Sequence, residues 1–489
     1  MPRHNDFYDL LNSNNVPNFS QAASVKQTID ALSKRISKLQ SQLDALEGQR
    51  QRHQAILSPV RRIPMEILGE IFALVLPDVL YSGDRRMLRN LGLVCKSWQN
   101  ASLLARHLWS GLKLIRPPKT GAYGRIVSWL TKSGALPKTL QFDGGVCNCW
   151  YDSDFPCLST NQELLKVLTM GPSLDHFELL NVHLACFLNL IAAINSAKNT
   201  RLSGPCPWDT LRSFRLQCAC EEGQGWDEAE DISQFTLNHL PLALRALKTD
   251  GDHIVKLFIP VELLNQLTTF AIEYDWDGAE VFSLLENCKN LETLTITFGY
   301  RSHFLDEQDP KLPGVSKSRL ILPKVRKCRI GRSTRIPILK YLAMPALSDL
   351  DIDLEYCHKV DNEFGTILHA FFKASNASKS LQALRISDAE LPAADLRHLL
   401  VQSPFSKNLV ISPHLPSLEH LKLLDLLGSY HYQSDFYCFQ RAKRCSPFIL
   451  SMSYRTLNKP ESCDESQIQT LKKAGVLLNL LPSPPTVFF

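Results

Sequence analysis

The chain of 489 residues exceeds what one compact core normally holds, so several structural units or one elongated repeat array are expected. Hydrophobic residues at 44% and charged residues at 21% are the composition of a folded protein, which excludes a wholly disordered or fibrous chain. The 54 basic and 49 acidic residues nearly balance at a formal charge of +5, which argues against a dedicated nucleic-acid surface.

The first residues, MPRHNDFYDL, lack the apolar segment of a secretory signal, so the 14 cysteines are read as reduced thiols. The sequons Asn18-Phe19-Ser20 and Asn376-Ala377-Ser378 then carry no weight. The most apolar stretches, Ile67 to Leu76 and Val476 to Leu481, are too short to cross a bilayer. An intracellular protein, cytoplasmic or nuclear and off the membrane, is expected.

Residues 1–20 are polar, without an apolar period, and read as a flexible leader. Within 21–57, Ile29, Leu32, Ile36, Leu39, Leu43 and Leu46 follow alternating steps of three and four, a heptad seam along one helix. Arg50 and His53 degrade the seam, and Pro59 stops the helix. Three heptads are marginal for an independent coiled coil, so packing against the chain's own next helices is expected, with self-association as the alternative.

Residues 58–116 read as a small helical module. Pro64 suits a first helical turn and Glu66 complements the N-terminal dipole. Ile67, Leu68, Ile71, Phe72 and Val75 then give an apolar face that Pro77 ends. A polar loop follows from Pro77 to Asn90. Leu91, Val94, Cys95 and Trp98 repeat the helical period, and Leu108-Trp109 adds a bulky pair, for three short helices.

The string Ile63-Pro64-x-Glu66-Ile67-Leu68-x-x-Ile71-Phe72, then Leu91-x-x-Val94-Cys95-Lys96-x-Trp98, then Leu108-Trp109, resembles the F-box. The likeness is nearest to F-box-like proteins of mushroom-forming fungi, in which a heptad-bearing helix runs directly into this module. It covers roughly residues 22–116. The resemblance implies docking on a Skp-type adaptor of a cullin-based ubiquitin ligase, with Ile63, Pro64, Ile67, Leu68 and Ile71 at or near the docking surface and Val94, Cys95 and Trp98 completing the module. Met65 stands where the family often has Pro or Glu, and the 77–90 segment is longer than in a minimal F-box.

From about residue 136 the pattern apolar-x-x-apolar-x-apolar recurs, at Leu174, Leu211, Leu267, Leu291, Val325, Leu347, Leu381 and Leu418, with a weaker copy at Leu244. Starts about 22 to 37 residues apart, with helical intervals such as Val281 to Cys288, are leucine-rich-repeat spacing with insertions. The expected fold class is therefore α/β: an N-terminal heptad helix, a three-helix F-box-like module, an irregular leucine-rich-repeat solenoid over 130–430, and a cap or tail over 431–489. No repeat carries the asparagine of regular leucine-rich repeats, which leaves a plain two-layer α/β domain as the alternative.

On such strands the residue between the last two apolar positions points to the open face. These residues are Glu178, Arg215, Lys248, Ala271, Thr295, Arg329, Asp351, Arg385 and Lys422. Five are basic and two acidic, an excess of three positive charges that suggests an acidic or phosphorylated protein ligand, against the alternative of ordinary solvated charges.

No glycine-rich phosphate loop, G-x-S-x-G elbow or H-E-x-x-H motif occurs. Cys147, Cys149 and Cys157, with Cys218 and Cys220, lack the C-x-x-C spacing of a zinc knuckle, and Cys206-Pro207-Trp208 and Trp276 read as packing. No cofactor, metal or catalytic residue is expected. The reading is a substrate-recognition adaptor that tethers an unidentified protein target. The rival is a repeat scaffold without a ubiquitin role, self-associating through its N-terminal helix.

Overall fold

A computed structural model describes residues 11–12, 16–115, 118–144, 160–199, 206–218, 234–251, 256–274, 278–298, 319–331, 337–354, 364–377 and 380–387, with strand backbone also at 420–426, 448–454 and 476–480. The chain divides into two compact units, 1–75 with 88–105, and 76–87 with 106–489.

The first unit begins with the 38-residue helix α1 (Phe19–Ile56). Its start is a reciprocal cap: the Gln21 N–H donates to Asn18 Oδ1 at 2.9 Å, and the Asn18 N–H donates to Gln21 Oε1 at 3.0 Å. It ends three residues before Pro59, which opens a short 3₁₀ turn (Pro59–Arg62). The expectation that the chain's own next helices cover the seam is not met. Ile29, Leu32, Ile36, Leu39, Leu43 and Leu46 all stay between 53% and 63% exposed. The following helices close their core on one another instead.

That core joins α2 (Met65–Val75), the second half of α3 (Ser82–Leu93) and α4 (Lys96–Leu104) through the buried Leu68, Phe72, Leu88 and Ala101. Phe72 and Trp98 meet with ring centroids 5.3 Å apart at 55°. Gly69 permits a close crossing of α2 on α4, since a Cβ there would lie 3.2 Å from the Ala105 Cβ. Two sequence expectations need correction. The supposed loop from Pro77 to Asn90 contains most of α3, because Asp84 accepts the Tyr81 N–H at 3.1 Å and Leu88 supplies a buried anchor. Leu91, Val94, Cys95 and Trp98 do not share one helix: α3 ends at Leu93, and Cys95 is extended (φ −165°, ψ 170°) as the residue preceding α4.

The second unit is a parallel sheet of 13 strands. In order they are β1 (Gly111–Ile115), β2 (Thr139–Asp143), β3 (His176–Val182), β4 (Ser213–Cys218), β6 (Ala246–Gly251), β8 (Thr269–Tyr274), β9 (Thr293–Phe298), β11 (Lys327–Gly331), β13 (Asp349–Asp353), β14 (Ala383–Ser387), β15 (His420–Leu426), β16 (Phe448–Tyr454) and β17 (Val476–Leu480). The remaining strands form two small parallel pairs, β5 (Gln234–Thr236) with β7 (Lys256–Phe258), and β10 (Leu320–Ile321) with β12 (Leu342–Ala343). The described connections carry α5 (Ala122–Thr131), α6 (Gln162–Met170), α7 (Leu184–Asn199), α8 (Val261–Gln266), α9 (Gly278–Leu285) and α10 (Phe364–Ala374), so this unit is mixed α/β.

Each strand pairs with the next strand of the sheet in chain order, and the repeat explains why. Its leading residue (Leu174, Leu211, Leu244, Leu267, Leu291, Val325, Leu347, Leu381) is fully or almost fully buried in every described copy. The next two apolar positions enter one continuous core, as at Phe177 and Leu179 or Leu350 and Ile352. At the residue after each leading position, main chain stacks the copies. The N–H groups of Arg212 and Ser213 both donate to the Asp175 carbonyl, those of Arg245 and Ala246 to the Arg212 carbonyl, and the pattern repeats through Gln382 and Ala383 on Ser348, at 2.8–3.1 Å.

The sequence boundary at 116 falls one strand late and the repeat region starts too late at 130, because β1 already belongs to the sheet. Trp109, assigned to the small module, instead packs on Trp129 of α5 at 4.4 Å. At the other end, β16 and β17 extend the sheet into 431–489.

Thr249 breaks the apolar rule. It occupies the third apolar position of β6, is fully buried, and its hydroxyl has no partner among the described residues. Thr249→Val removes that unpaired group at similar shape, so thermal unfolding of the full chain is expected to show a gain of about 1 kcal/mol. An unchanged or lowered midpoint would count against this account of β6.

Candidate functional site

Two surfaces follow from these elements, one on each unit. On α2 burial splits the apolar residues into two stripes. Leu68 and Phe72 face inward, while Ile67 (51% exposed), Ile71 (40%), Leu74 and Val75 lie outward at i, i+4, i+7 and i+8. The expected docking set is therefore divided. Ile67, Ile71 and the exposed Pro64 share the open side and Ile63 is half-buried, whereas Leu68 is 2% exposed and belongs to the core. Val94 is exposed, Cys95 and Trp98 are half-buried, and Trp98 supports α2 through Phe72. Leu74 and Leu93 are further exposed apolar residues that sequence reasoning did not single out.

This outer stripe is apolar without a cover among the described residues. Isolated exposed leucines are ordinary, but a contiguous run along one helix is the surface a partner helix can bury.

The second surface is a register row. Glu178 pairs in turn with Arg215, Lys248, Ala271, Thr295, Arg329, Asp351, Arg385 and Lys422, each residue standing opposite the next on the neighbouring strand. All nine residues named for the open face therefore fall in one line across the sheet. The line begins two strands earlier, at Lys113 and Gln141, and continues to Ser451 and Asn479. Trp109-x-x-Leu112-x-Leu114 carries the repeat pattern and could have located Lys113; β2 has Pro137 in the leading position and hides it.

The charge excess expected on this face is overturned by the rows beside it. Adjoining positions on the same pleat add Asp143, Asp250, Glu273, Asp349 and Asp353 against Lys327 alone. With them the described face holds six basic residues (Lys113, Arg215, Lys248, Lys327, Arg329, Arg385) and seven acidic ones, the five just named plus Glu178 and Asp351. Opposite charges interleave. Arg215 lies 3.7 Å from Glu178, Arg329 3.7 Å from Asp351 and 3.6 Å from Asp353, Arg385 3.5 Å from Asp351, and Lys113 3.4 Å from Asp143. Gln141 donates to Glu178 at 3.1 Å. Partial burial, reinforced by the neighbouring Arg215 charge, lowers the Lys248 pKa. A recess of about 360 Å³ opens among Thr295, Arg329, Asp351 and Arg385.

This face is thus a lattice of interleaved charges of both signs. Two core thiols are suited to packing rather than reaction: burial pushes the Cys288 pKa up to about 12, and burial with the Asp351 charge does the same to Cys328. Among the described residues no group of three His, Cys, Asp or Glu is placed to hold a metal ion. Cys147, Cys149, Cys157, Cys220 and Trp276 lie outside the described residues. No described helix is long and apolar enough to cross a membrane. No protein-family model matches the chain, and no curated protein matches it.

Proposed function

We propose that this chain is a substrate-recognition adaptor of a Skp–cullin ubiquitin ligase, docking through its first unit and holding a protein target on the polar face of its sheet. The observation that carries the reading is the exposed stripe Ile67, Ile71, Leu74 and Val75, set immediately after Pro64 in the segment that resembles the F-box. A small module that buries only one side of its helix leaves the other for a partner. The sheet supports the second role: its strands are joined by a repeating main-chain ladder and their register sets one row of residues across them, which an irregular leucine-rich-repeat solenoid would also have. The interleaved charges favour a target recognised by mixed polar contacts rather than by net acidity.

The chain's task in this reading is tethering, which raises the target's effective concentration at the transferring enzyme and needs no acid, base or nucleophile here. The test is co-purification of the full chain from cells containing a Skp-type adaptor and a cullin. Recovery of both supports the reading; their absence overturns it. The second reading, a scaffold that self-associates through α1, is favoured by the uncovered seam.

A further inference from the structure

The seam of α1 also identifies its own partner. Assigning heptad letters from its steps of three and four puts Ile29, Ile36 and Leu43 at a and Leu32, Leu39 and Leu46 at d, with Val25 adding an earlier d, so two of the three a residues are β-branched and three of the four d residues are leucine. β-Branched residues at a with leucine at d favour two parallel strands, because each side-chain shape fits the knobs-into-holes angle of its own layer. We infer that two copies of this chain pair in parallel through α1.

The flanking positions permit it. In a parallel pair each g residue faces the e residue of the next heptad on the other copy: Arg35 meets Gln40, and Gln42 meets Glu47. Neither is a like-charge pair. Lys34 and Lys38, the other cations in mid-helix, fall at f and c on the solvent side. Covering also answers a physical problem, since six aliphatic side chains in a 38-residue helix are more than half exposed in one chain. The seam ends at Arg50 and His53, whose polar side chains occupy the next a and d positions and confine pairing to α1 ahead of the module. Because both copies run the same way, both modules follow from the same end of the coil. The inference rests on the seam alone and holds or fails independently of adaptor docking.

Light scattering after size exclusion of the full chain tests it, with no ubiquitin component present. The expected mass is about twice 55.2 kDa at micromolar concentration, falling to the single-chain mass for Ile29→Lys/Ile36→Lys with unchanged circular dichroism. Arg50→Ile/His53→Leu, which lengthens the seam, is expected to tighten pairing by about tenfold or more. Amine cross-linking of mixed isotopically light and heavy chains reads the direction. Parallel pairing links Lys26 to Lys26 of the other copy, whereas antiparallel pairing sets Lys26 beside Glu47, about 30 Å away along the helix. A single-chain mass for the unaltered protein, a dimer that survives the lysine substitutions, or a dimer without the Lys26–Lys26 link would overturn the proposal.

Discussion

Replacing Trp208 with alanine is expected to cost the second unit about 3–5 kcal/mol, among the largest losses available to a single side chain. Trp208 is fully buried in the 3₁₀ turn that leads into β4, with its ring edge-on to Phe177 at 6.0 Å and to Phe214 at 5.8 Å. Its indole N–H donates to the His239 carbonyl at 3.3 Å, so truncation opens a cavity and strands an acceptor. The damage falls between β3 and β4, where Phe187 also stacks on Phe214. Denaturant unfolding followed by far-ultraviolet circular dichroism should show the sheet's transition at lower denaturant. A shift worth under about 1 kcal/mol would mean that this aromatic cluster does not anchor the early strands.

The repeat was legible because its physics is periodic. Leucine at the leading position and two apolar residues at period two are what a buried parallel strand requires, so the register row from Glu178 to Lys422 is legible in the sequence. Strands β1 and β2 were hidden because Trp109 and Pro137 stand where the other copies lead with Leu or Val. The net charge of the face was illegible for another reason: one residue per strand samples one row, and Asp143, Asp250, Glu273, Asp349 and Asp353 lie beside it. Helix α3 was missed because it buries little apolar surface of its own; Leu88 is its one fully buried side chain. The fate of the α1 seam could not be read at all, since a heptad states that a face wants cover and not whether the cover lies on the same chain.

The stripe on α2 allows the docking proposal to be separated from simple loss of folding. Ile67→Glu/Ile71→Glu places two charges on residues that are 51% and 40% exposed, so the chain's own stability should change by no more than about 1 kcal/mol. A helix interface that buries two isoleucines gains about 1.5–3 kcal/mol from each, and desolvating the introduced carboxylates adds to the loss. Capture by a Skp-type adaptor is therefore expected to weaken by at least about a hundredfold in the double variant. Phe72→Ala is the contrasting variant: it removes a buried ring from Trp98 on the inward side of the same helix and should cost about 3–5 kcal/mol, losing capture only because the module loosens. Titration of purified adaptor against both variants, paired with thermal unfolding of each, distinguishes the two routes. Undiminished binding by Ile67→Glu/Ile71→Glu would show that the outward side of α2 is not the docking surface, whatever the module does elsewhere.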